Sequence, residues 1–136
     1  MASPAVIGKS KLNEDVEITQ EDQKMINDFA NKNSKHNEIK ALILSNKKQL
    51  QNYEDAGDEI MLNDDESVSV YIGETFFKMS KDEAQAFIDE GKESIEKEIK
   101  ILAEKAEAYA MELKDLKIKL YAKFGTNINL EEEEDS

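Results

Sequence analysis

The chain of 136 residues has no cysteine, no tryptophan and a single proline, Pro4. Without cysteine, disulfides and thiolate metal sites are excluded. Aromatic residues make up only 7% of the chain, which leaves little material for a thick globular core. No apolar run approaches the ~20 residues of a transmembrane helix, and the N-terminus, MASPAVIGKSKLNEDVEI, lacks the apolar core of a signal peptide. Also missing are the phosphate-loop pattern G-x-x-x-x-G-K-[ST], the nucleophile pattern G-x-S-x-G and the zinc pattern H-E-x-x-H. Neither an enzyme nor a bound cofactor or metal is expected.

What the chain does have is charge. Charged residues are 36% of it, with 31 acidic side chains against 18 basic ones and a net charge of −13. Every basic residue is lysine. That balance argues against nucleic acid or an anionic membrane as a partner and favours solubility. A soluble cytoplasmic protein is expected, with the nucleus as a further location.

The stretch that organises the rest is Ser67–Met79, SVSVYIGETFFKM. Val68, Val70 and Ile72 alternate with period 2, Gly73-Glu74 offers a turn, and Thr75-Phe76-Phe77 resumes the strand character, which together predict a β-hairpin. A lone hairpin is marginal in water and has two open edges, and no other convincing strand is visible. Val68, Val70, Ile72, Phe76 and Phe77 are therefore expected to be buried between subunits of an oligomer.

On either side lies a long segment without proline. Before the hairpin, Met25, Phe29, Lys32, His36, Ile39, Ile43, Asn46, Leu50, Tyr53, Gly57 and Ile60 recur at alternating steps of four and three, the seam of a coiled coil. Ile26, Leu42 and Leu44 lie off the seam and widen the apolar face. Thr19 reads as the N-cap, with Asp22 in the first turn. After the hairpin, Ser80 and Glu83 form a capping box. The second seam is Ile88, Lys92, Ile95, Ile99, Leu102, Ala106, Tyr109, Leu113, Leu116 and Leu120, and Gly125 is a natural residue for the turn that ends the helix. The expected organisation is a flexible N-terminal tail at 1–18, a domain at 19–124 (helix 19–62, hairpin 67–79, helix 80–124) and an acidic tail at 125–136. Two helices of similar length with a short connection should pack antiparallel, bringing both termini to the side away from the hairpin.

Gln49-Leu50-Gln51-Asn52-Tyr53-Glu54-Asp55-Ala56, Ile60-Met61-Leu62 and the block from Leu120 to Glu131, LYAKFGTNINLE, are similar to segments of β-class prefoldin subunits. The resemblance covers roughly Val16 to Glu131, and the C-terminal block is its most specific part. It implies an all-α-dominated fold, a long antiparallel two-helix coiled coil whose hairpin completes an intersubunit β-barrel. It also implies a hetero-hexamer with two α-class and three further β-class chains. The resemblance further implies an ATP-independent holdase that binds unfolded actin and tubulin at coiled-coil tips and delivers them to the cytosolic chaperonin.

Met25, Ile26, Phe29, Leu120, Tyr121, Phe124 and Ile128 are the candidate client-binding tip, since the last three run beyond the regular seam, where partly exposed apolar surface would suit weak capture. The lone His36 reads as a polar seam residue and Asp64-Asp65-Glu66 as a solvated loop, because neither has the companions of a metal site. The low-complexity acidic tail Leu130–Ser136 reads as a disordered solubilising tail or a contact for basic surfaces. A second class of function stays open: a coiled-coil adaptor or scaffold that spaces its partners without touching client.

Overall fold

The computed structural model describes residues 6–7, 17–72 and 74–131. In chain order they form strand β1 (Val6–Ile7), helix α1 (Gln20–Leu62), strands β2 (Ser67–Ile72) and β3 (Thr75–Ser80), helix α2 (Lys81–Phe124), a 3-10 turn (Gly125–Asn127) and strand β4 (Ile128–Asn129). Two long helices with one antiparallel hairpin between them are the fold class that the periodicities point to.

The helix starts follow from their caps. The Thr19 Oγ1 accepts from the Asp22 N–H at 3.1 Å while the Thr19 N–H donates to the Asp22 carboxylate at 3.0 Å, so each residue satisfies the other's orphan donor. Ser80 and Glu83 repeat the arrangement at α2: the Glu83 N–H donates to Ser80 Oγ, and that hydroxyl donates to the Glu83 carboxylate, both at 3.1 Å. α2 stops where Gly125 takes φ +57°, a left-handed conformation that costs a side-chain-bearing residue roughly 1–2 kcal/mol.

Contacts divide the chain into two compact units, one made of residues 41–103 and the other of residues 1–40 with 104–136. In the first, the hairpin unit, β2 and β3 pair antiparallel from Ser67↔Ser80 to Ile72↔Thr75, so two residues join the strands. Residues directly opposite share a face, which places Val68 and Val70 with Met79 and Phe77. At Val68 and Val70, expected to be buried between subunits, that face is covered by the chain itself, while Phe77 on the same face stays 45% exposed. Val68 is buried in a cluster with Ile60, Ala84 and Ile88, and Val70, Met79, Tyr53, Ala56 and Phe87 pack against it. The ends of both flanking helices supply the cover that a search for further strands could not find.

The seam of this unit is tight. A Cβ on Gly91 would stand 2.5 Å from the Tyr53 ring, so Gly91 is the gap that the ring fills, whereas Gly57 leaves 3.7 Å to Ile88. Every expected seam residue of the unit is buried or half-buried. Leu42 and Leu44, expected to widen the apolar face, are instead exposed, because a two-helix pair has one seam and no described residue covers its flank there.

In the second, the terminal unit, the expected seam residues from Met25 to Ile39 and from Ala106 to Leu120 are again buried or half-buried. Lys32 reaches Glu112 at 3.4 Å and Lys123 bonds Asp22, so each advance along α1 is matched by a retreat along α2, the antiparallel arrangement. β1 pairs antiparallel with β4, Val6 opposite Asn129 and Ile7 opposite Ile128. This second sheet corrects two expectations. The stretch 1–18, read as a tail, contains a strand, although residues 1–5 and 8–16 lie outside the described residues. The stretch 125–136, read as an acidic tail, is ordered structure through Glu131; residues 132–136 lie outside the described residues. A two-residue strand such as β1 carries no period long enough to recognise.

Candidate functional site

In the hairpin unit the candidate assembly residues separate by face. Val68 is buried and Val70 half-buried against the unit's own cluster. Phe77 remains 45% exposed and Phe76, on the opposite face, 61% exposed. The Ile72 side chain lies outside the described residues. Met61 and Leu62, the last residues of α1, are 73% and 83% exposed. Sequence reading passed over these two because they fall off the seam. Phe76, Phe77, Met61 and Leu62 are the exposed large apolar side chains of the hairpin and of the helix end that leads into it. The loop before the hairpin is fixed by polar contacts: Lys81 Nζ donates to the Asn63 carbonyl at 2.6 Å and the Asp65 N–H to Asn63 Oδ1 at 2.7 Å.

In the terminal unit the candidate tip residues do come together, but as core. Ile26, Phe29, Leu113, Leu120, Phe124, Ile128 and Leu130 form one buried cluster, with Met25, Leu116 and Tyr121 packed on it. Phe124 is 2% exposed, Ile128 4% and Leu130 2%. The exposure expected of Tyr121, Phe124 and Ile128 is therefore corrected to burial or half-burial. The physical reason is the turn at Gly125, after which the chain comes back and lays Ile128 and Leu130 on the helices. The alternation Asn127-Ile128-Asn129-Leu130 was the available signal, the period of a strand with one buried face.

Polar groups fasten this return. The Leu130 N–H donates to the Tyr121 hydroxyl at 3.0 Å; Glu131 accepts from that hydroxyl at 3.4 Å and from Lys117 Nζ at 3.3 Å. Asp22, almost wholly buried, joins the start of α1 to Lys123 in the last turn of α2. The hydrogen bond from the Lys123 ammonium, helped by the backbone bond from Thr19, holds the Asp22 carboxyl below its usual 3.8. Lys32, between Asp28 at 3.0 Å and Glu112, is held above 10.5, chiefly by the hydrogen bond to Asp28.

His36 is a half-buried seam residue. Among the described residues there is no group of three or more His, Asp or Glu side chains placed to hold a metal, and no helix is long and apolar enough to cross a membrane. The geometry offers an apolar hairpin surface and a closed apolar cap beside a short sheet.

Human prefoldin subunit 4 is 47% identical to this chain over 123 residues, covering 89% of it and 92% of the human protein. A probable prefoldin subunit 4 of Drosophila melanogaster is 36% identical over 138 residues, covering 98% and 100%. Prefoldin subunit 4 of Saccharomyces cerevisiae is 31% identical over 116 residues. In fold, the chain is similar to the prefoldin beta subunit from Thermococcus strain KS-1, with a TM-score of 0.71 at 21% identity over 80% of this chain and 96% of that one. Residues 23–127 match the family model for prefoldin subunits, and with relatives of this identity over nearly the whole length the chain belongs to the prefoldin subunit family.

Proposed function

We propose that this chain is a β-class subunit of a hetero-hexameric prefoldin, an ATP-independent holdase without catalytic activity that passes unfolded actin and tubulin to the cytosolic chaperonin. Membership of the family supports assembly with other prefoldin subunits. The observation that carries the reading is the hairpin, where Val68 and Val70 pack on its own unit while Phe77 on the same face and Phe76 on the other stay exposed. Pairing of its outer edges with neighbouring hairpins would complete a β-barrel and cover both rings. The complex would work in the cytoplasm, and in the nucleus.

Client capture is assigned to the terminal unit, around Met25, Ile26, Phe29, Leu120, Tyr121, Phe124 and Ile128. Their packed state favours weak contact through the half-buried members, Met25 and Tyr121, with several tips of the complex adding avidity. The same packed state also favours the second reading, a spacer subunit that touches no client.

The test is reconstitution of the complex with Phe76→Asp and Phe77→Asp in this chain. Loss of the chain from the hexamer with the helical far-UV signal retained is expected; a normal hexamer yield would overturn the assembly role.

A further inference from the structure

β4 is anchored on both helices. Ile128 and Leu130 sit in the buried cluster, the Tyr121 hydroxyl accepts the Leu130 N–H at 3.0 Å, and Glu131 is tied to Lys117 at 3.3 Å. β1 contributes two residues to its two-stranded sheet with β4. A sheet that small contributes little stability by itself.

The two strands also share an unusual composition. In a chain that is 36% charged, residues 1–8 and 124–130 carry no charged side chain. Val6-Ile7 is a β-branched apolar pair between Ala5 and Gly8, the composition of an extended hydrophobic segment of an unfolded protein and of no helix in this chain. A firmly anchored strand edge, occupied by a short apolar strand from the same chain, is the arrangement of a peptide site holding an internal ligand.

We propose that β4 is a strand-addition site for extended apolar segments of unfolded polypeptide, and that β1 is its exchangeable internal occupant. The inference rests on the holdase reading above and deepens it by naming the recognition mode and its regulation. Main-chain hydrogen bonds give sequence-tolerant affinity, which suits a binder of unfolded chains. The buried cluster need not open, because the incoming strand replaces β1 and leaves Phe124, Ile128 and Leu130 in place. The tethered strand competes at the effective concentration set by its link, so a strand closed nine-tenths of the time lowers apparent client affinity about tenfold.

The experiment uses the reconstituted prefoldin complex carrying either the full chain, a chain lacking residues 1–8, or the full-length Val6→Pro/Ile7→Pro chain. Two probes are used: a fluorescent peptide of residues 1–10, MASPAVIGKS, and reduced carboxymethylated α-lactalbumin, which is permanently unfolded. Both variants should bind the peptide about tenfold more tightly than the full chain does. The unfolded protein should displace it, and the same peptide with Val6→Pro/Ile7→Pro, which lacks two backbone donors, should not bind. Peptide affinity within twofold across the three complexes, equal binding of the proline peptide, or no competition by the unfolded protein would overturn the proposal. If α-lactalbumin binds every complex equally while the peptide binds none, strand exchange falls and the holdase reading stands. If α-lactalbumin binds none of them, the holdase reading falls and takes the proposal with it.

Discussion

The hairpin unit and the terminal unit face the same problem and answer it differently. In each, large apolar residues run beyond the regular seam of two helices. In the terminal unit the chain turns at Gly125 and covers them itself, closing a cluster of seven buried side chains. In the hairpin unit the buried cluster has four members, and Phe76, Phe77, Met61 and Leu62 are left on the surface. Surplus apolar residues therefore do not by themselves identify a binding surface. What decides is whether the chain has a segment of its own to cover them, and among the described residues the terminal unit has one.

The largest effect should come from truncating a side chain the chain has covered. Phe29 is 1% exposed, and Phe29→Ala should cost about 3–5 kcal/mol, read as a large fall in the thermal midpoint by circular dichroism. Phe76→Ala should move stability by no more than about 0.5 kcal/mol, as befits an exposed residue, while weakening assembly. Equal stability losses at the two positions would erase the difference between the units.

A smaller contrast lies inside the hairpin unit. Gly91→Ala drives a methyl into the Tyr53 ring and should destabilise by about 1–2 kcal/mol net of the gain in helix propensity. Gly57→Ala meets Ile88 at an ordinary 3.7 Å and should stabilise by up to about 1 kcal/mol. Chemical denaturation of the two variants with unchanged slope would measure both.

The smallest effect is electrostatic and belongs to the terminal unit. Asp22 has its carboxyl held below 3.8 in the folded chain, so its contribution is fully present above that value and disappears as pH falls through the lowered one. The thermal midpoint of wild type should therefore drop more than that of Asp22→Asn between pH 5 and pH 2. Parallel curves would remove Asp22 from the account.

Much of this was legible in the chain. The four-three spacing located both seams, and each seam residue from Met25 to Ile60 and from Ile88 to Leu120 is at least half-buried. The caps at Thr19 and Ser80 could be read because they act within three residues. What could not be read depends on distant partners. The burial of Ile128 and Leu130 needs Tyr121 and Phe29, the burial of Asp22 involves Lys123, and β1 finds β4 across nearly the whole chain. The cover over Val68 was illegible for the same reason, since Ile60 and Ile88 supply it from separate helices. Leu42 and Leu44 err the other way: local spacing made them candidates, and with no third helix among the described residues they stand in solvent.

The most direct test of the contrast is amide hydrogen exchange on this chain alone and within the assembled complex. The account predicts that assembly slows exchange strongly at residues 67–80 and leaves residues 120–131 nearly unchanged, because the terminal unit is already closed. Strong new protection at 120–131 with none in the hairpin would contradict it.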